Sequence, residues 1–180
     1  RAEKYGDAME VVQQLVGTGQ TDSEALLLQA DLLARMGRYD AAQSVLDILG
    51  ATTDETAPAP QMAILERSVK WHLSNGDLPQ ALEQAEKALA MDPEHLELRK
   101  LAVEAAMEML LDDKAADLAG TVTEERLLAD ESGNGLDILC KRIDLAMEAG
   151  NLDVAEKLLG AGLPKWGDRP ALQELLARFK

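Results

Sequence analysis

Apolar residues recur along this chain at spacings of three and four, and no segment shows the alternation of a half-buried strand. Ala8, Val11, Val12, Leu15 and Val16 fall on one side of a helix over 1–17 that Gly17 and Gly19 end. The pattern then predicts helices near 22–36, 38–49, 61–75, 78–91, 93–109, 112–121, 136–149, 151–162 and 169–179. Thr21-Asp22-Ser23-Glu24 reads as a capping box, in which hydroxyl and carboxylate satisfy the first backbone amides. Residues 51–60, ATTDETAPAP, read as a linker. Residues 123–135 stay open, because EERLLA extends a helix and ESGNG ends one.

The turns share a grammar that is clearest over 75–93. Gly76 breaks one helix and Asp77 is placed to cap the next. Pro79 is tolerated in that helix's first turn, and Ala81, Ala85 and Ala88 share a face thin enough for close helix packing. The hexapeptides starting at Gly37, Gly76 and Gly150 each place a large apolar residue two positions on and an alanine five on. A degenerate copy runs from Leu110 to Ala115. The closing alanines, Ala42, Ala81, Ala115 and Ala155, are 39, 34 and 40 residues apart. A period of about 34 is that of a helix-turn-helix repeat, and the longer intervals fit insertions at 51–60 and 123–135.

On these residues the chain resembles the tetratricopeptide repeat (TPR) family over about 22–163. The best unit runs from Met62 to His95, with Leu65, Gly76, Leu78, Ala81, Ala85, Ala88 and Pro93 at the family's places. It departs from the family where the small residue of the first helix is Ala30 once but Val69, Val103 and Ile143 elsewhere. The first-helix tyrosine is replaced by Leu33, His72, Ala106 and Ala146, so bulk has moved across the pair. The resemblance implies an all-α, right-handed α-α solenoid of about four pairs with flanking helices. Its parts would be the second helix of a partial repeat (1–17), repeats at 22–50, 61–92, 93–122 (degenerate) and 136–163, and a cap or next repeat at 168–180. With half-units at both ends and Arg1 in first place, the chain reads as a slice of a longer array.

The resemblance also implies that first helices line a concave groove. It places there Leu27, Asp31 and Ala34; Glu66, Lys70 and Leu73; Lys100, Glu104 and Met107; and Cys140, Asp144 and Met147. Mixed charge with adaptable methionines suits a protein partner presenting a peptide or helix of basic or mixed charge. The plainer alternative is a solvated face held by i,i+4 pairs such as Glu66–Lys70 and Lys100–Glu104. A carboxylate clamp of the kind some family members use would need asparagines; the stripe has none, and Asp31 and Asp144 would repel a carboxylate.

Composition narrows the chemistry. A net charge of −15 opposes nucleic acid. No apolar run approaches the roughly 20 residues of a membrane span. The single Cys140 excludes an internal disulfide and leaves the redox compartment open; scarcity of cysteine is compatible with an oxidising one, the bacterial periplasm ahead of the cytoplasm. His72 and His95 lack metal-site spacing, and His72 reads as a satisfied, partly buried imidazole. No phosphate loop, nucleophile elbow or poised acid–base pair is present, so the expectation is no enzyme, no metal and no cofactor. Trp166 is expected to seal the last pair against a terminal helix whose Leu172, Leu175, Leu176 and Phe179 need cover. The function expected is a non-catalytic scaffold, of a kind similar to those of bacterial envelope assemblies such as exopolysaccharide export. The alternatives are a spacer or self-association module acting through its ends, and an accessory part of an enzyme.

Overall fold

A computed structural model of the chain describes residues 23–52 and 58–179. The expected helix over 1–17 and the capping threonine at 21 lie outside the described residues. The described chain forms α1 (Ser23–Arg35), α2 (Tyr39–Thr52), α3 (Pro58–Asn75), α4 (Leu78–Met91), α5 (Leu96–Glu108), α6 (Asp112–Gly120), α7 (Glu124–Ala129), α8 (Asn134–Glu148), α9 (Leu152–Trp166) and α10 (Pro170–Phe179). It contains no strand among the described residues.

The largest differences from the expected boundaries lie at the linker and at the end of α9, while α5 starts at Leu96 and not at 93. Helix enters the predicted linker from both sides, because α2 runs to Thr52 and α3 begins at Pro58. Pro58 and Pro60 sit in the first turn of α3, where the missing amide has no intrahelical partner to lose. At the other end, α9 continues through Pro164 to Trp166 instead of stopping near 162. Its last turn is fastened from outside: Lys165 Nζ donates to the carbonyls of Leu128 and Asp130, and Trp166 is buried. The open stretch 123–135 resolves into the short helix α7, capped by Thr123, and a turn.

The chain divides into two compact units, Arg1–Met91 and Asp92–Lys180. In the first, α1 packs on α2, α3 on α4, and α3 also meets α1 and α2. Ala30, Val69, Ala42, Ala81, Ala85 and Ala88 are wholly buried, so the small side chains do mark the helix contacts. Leu32, Leu33, Ala34 and Ala42 form one core cluster against which Tyr39, Val45 and Trp71 pack. His72 is half-buried with Nδ1 3.3 Å from Asp77 Oδ2.

In the second unit, α5 pairs with α6 and α8 with α9, while α8 also touches α5, α6, α7 and α10. Val103 and Ile143 are fully buried at the centres of their first helices. Helices α8, α9 and α10 close on Gly162, where a methyl group would stand 2.6 Å from Leu139 Cδ2 and 3.4 Å from Leu172 Cδ2. That approach buries Leu172 and Leu175, so the apolar face of α10 is covered within its own unit. His95 is half-buried and caps α5, its Nδ1 accepting from the Leu98 amide at 3.3 Å.

The four hairpin turns are closed by one hydrogen-bond scheme. The amides of Gly37, Gly76, Leu110 and Gly150 bond three residues back, and those of Arg38, Asp77, Leu111 and Asn151 bond five back. The scheme needs a left-handed residue. Gly37, Gly76 and Gly150 take φ of 75°, 76° and 73°, and Leu110, in the same place, takes 58°. Leu110 is the only positive-φ residue other than glycine among those described.

Candidate functional site

The structure places the predicted stripe on the first helices of the pairs. Asp31 and Leu27 are half-buried on α1, Glu66 and Leu73 on α3, Lys100, Glu104 and Met107 on α5, and Cys140, Asp144 and Met147 on α8. Lys70 is exposed. Ala34 departs from the stripe: it belongs to the core cluster, drawn in by the turn that packs Leu33 and Ala42 together.

The charges that the stripe carries on α5 are spent across helices. Lys100 and Glu104 do not satisfy each other along α5. Lys100 reaches Asp137 at 3.5 Å and Glu104 meets Lys141 at 3.4 Å, both on α8. The two pairs step together by four residues, so α5 and α8 run side by side in the same direction. Asp144 then meets Arg178 of α10 at 2.7 Å. In the first unit, Arg67 Nε donates to both carboxylate oxygens of Asp31 at 3.2 Å. Asp31, Glu104 and Asp144 each follow directly after the buried central residue of their helix, and Arg67 and Lys141 each stand two before theirs. The same acid–base link between first helices is thus made once in each unit, as Asp31–Arg67 and as Glu104–Lys141. Each is partly exposed and worth at most about 1 kcal/mol, so the links set register more than stability.

In the second unit these links frame a cavity of about 280 Å³ lined by Met107, Cys140, Lys141, Asp144, Glu174 and Arg178, with Leu175 and Ala171. Lys141 and Arg178 have acidic partners, whereas Glu174 has none among the described residues. Burial, reinforced by Asp137 and Asp144 and opposed by Lys141, pushes the Cys140 thiol up to about 11. Cys140 is therefore a neutral lining group at ordinary pH.

Two polar devices escaped the sequence reading. Arg99 is buried, and its guanidinium donates to the carbonyls of Leu118 (2.9 Å) and Pro93 and to the Thr121 hydroxyl, tying the ends of α5 and α6 together. The signal was an arginine among the buried positions of the helix, which are otherwise leucine, valine and alanine. The other is Asp130, whose carboxylate accepts from the Ser132 hydroxyl at 2.9 Å and from the Gly133 and Gly135 amides at 3.0 and 2.9 Å. Burial alone would raise its pKa, but these donors outweigh it and hold the carboxyl below its usual value. The turn before α8 is thus built around an ionised aspartate. Among the described residues, no group of three or more His, Cys, Asp or Glu could hold a metal ion, and no helix is long and apolar enough to cross a membrane.

These are features of an all-α protein built from stacked helix pairs. The fold is shared with the crystal structure of a thermophilic TPR protein from Thermus thermophilus. That protein is 20% identical, with a TM-score of 0.52 over 99% of this chain and 90% of its own. The likeness shows the fold, an α-α solenoid of TPR type. No protein-family model matches the chain, and no curated protein does either.

Proposed function

We propose that the chain is a non-catalytic scaffold that binds protein partners through the first-helix faces of its units. The observation that supports this reading is the second unit's cavity at Met107 and Cys140. Its floor is apolar and adaptable, its basic residues are occupied by Glu104 and Asp144, and Glu174 is left as an uncompensated carboxylate at its rim. Such a site suits a peptide or helix that inserts one apolar side chain beside a lysine or arginine. Asp31, Glu66, Lys70 and Leu73 would supply the corresponding face of the first unit, and Lys100 and Met147 the margins of the second. A place in a bacterial envelope assembly, in the periplasm, belongs to the same proposal and rests on the TPR resemblance. Self-association through α10 is disfavoured, because Leu172 and Leu175 are already covered.

The test is photo-crosslinking from position 171, at the edge of the cavity, in a native lysate, beside Met107→Glu and Glu174→Lys variants of unchanged thermal stability. A protein captured by the wild type and lost by both variants supports the site. Equal capture by all three removes binding from this face.

A further inference from the structure

Because α5 and α8 run in the same direction, the turn from α5 to α6 and the turn from α8 to α9 lie at the same end of the second unit. That end carries exposed aliphatic side chains: Leu110 is 83% exposed, Leu152 56%, Val154 49% and Leu111 41%. Isolated exposed leucines are ordinary on protein surfaces. Here three leucines and a valine collect at two turns of the same end, and Leu110 is held outward in a backbone conformation for which the sister turns use glycine. A glycine would satisfy the turn, so folding alone does not account for a leucine at 110.

The surroundings say what would cover the patch. Glu108, Asp112 and Asp113 flank the first turn, and Glu148 and Asp153 the second, against Lys114. The aspartates stand in first turns, where the helix dipole favours them; Glu108 and Glu148 stand in last turns, where it does not. Helix stability therefore explains part of this acidity and leaves the rest. We propose that this end of the second unit is a docking surface for a basic segment of another protein carrying aliphatic side chains. A second copy of this chain would set carboxylates against carboxylates, and nucleic acid is repelled while offering no aliphatic anchor. The surface is distinct from the cavity at Met107 and does not depend on it.

The probe is a synthetic 12-residue peptide of lysine and leucine, titrated into the full chain and followed by amide NMR. A lysine–serine peptide of equal charge serves as control. Shifts concentrated at 108–114 and 148–154, with at least tenfold weaker binding by the serine peptide, are expected. Leu110→Ser/Leu111→Ser and, separately, Leu152→Ser/Val154→Ser should each weaken the leucine peptide about tenfold while remote amides keep their positions. Shifts centred elsewhere, equal binding by both peptides, or undiminished binding by both variants would each overturn the proposal. So would concentration-dependent self-association abolished by the same substitutions, which would make the occupant a second copy.

Discussion

Leu110 separates backbone strain from side-chain burial, because it combines φ 58° with 83% exposure. A left-handed conformation costs an L-residue about 1–2 kcal/mol, which Leu110→Gly would remove. Glycine's extra freedom in the unfolded chain gives back about 0.5–1 kcal/mol. Full burial of a leucine is worth about 1.5–3 kcal/mol, so the small covered fraction of this one adds only a few tenths to the loss. The net expectation is a gain of about 0.5 kcal/mol. Urea unfolding would measure it through Trp166, which reports the second unit once Trp71→Phe has silenced the first. If that unit unfolds on its own, the gain corresponds to a midpoint shift of about 2–4 °C in a thermal scan. Leu110→Ala is the control: it trims the same exposed side chain but keeps a β-carbon at positive φ, so it should be neutral or slightly destabilising. Equal gains from glycine and alanine would refute the argument from backbone strain, and a loss with glycine would show that the leucine makes contacts that matter.

Arg99→Met should destabilise the second unit by about 2–4 kcal/mol in the same assay, because it strands the carbonyls of Leu118 and Pro93; Arg99→Lys should recover less than half of that, since an ammonium cannot span the fork. At Gly135 an added methyl group would collide with the Leu127 carbonyl oxygen, a backbone atom that can shift only with its helix, so Gly135→Ala should cost about 2–3 kcal/mol by calorimetry. Cys140 should be alkylated with a rate that climbs towards pH 11, following its raised pKa. At pH 8.5 it should therefore lag an ordinary thiol by on the order of a hundredfold; a midpoint near 8.5 would show that the thiol is neither buried nor acid-flanked.

The alanine positions and glycine turns were legible in the sequence because both are local: a helix contact needs a small side chain every three or four residues, and a tight hairpin turn needs a left-handed residue. Leu110 shows the limit of that reading. The degenerate repeat was visible, but nothing local said that leucine would be forced into the glycine conformation by the helices on either side. The face carrying Asp31, Glu104 and Asp144 was also legible from register. The partners of Asp31 and Glu104 stand on another helix, where Arg67 and Lys141 share one repeat place, and pairing between helices is not written in the spacing within one. Arg99 and Asp130 depended on tertiary neighbours that periodicity does not encode.

The acid–base links also bear on how such an array can grow by copying its own modules. A pair inserted in tandem keeps every link only if its first helix offers a base two residues before the centre and an acid one residue after. Among α1, α3, α5 and α8, the residues in those places are Leu28 and Asp31, Arg67 and Lys70, Leu101 and Glu104, and Lys141 and Asp144. Only α8 has both. Duplicating the α8–α9 pair would therefore yield a chain whose new neighbours already match. A duplicate of α5–α6 would set Glu104 against Leu101 and need a compensating change before it fitted. The pairs share one helical plan, but their charges leave only α8–α9 ready to sit beside a copy of itself.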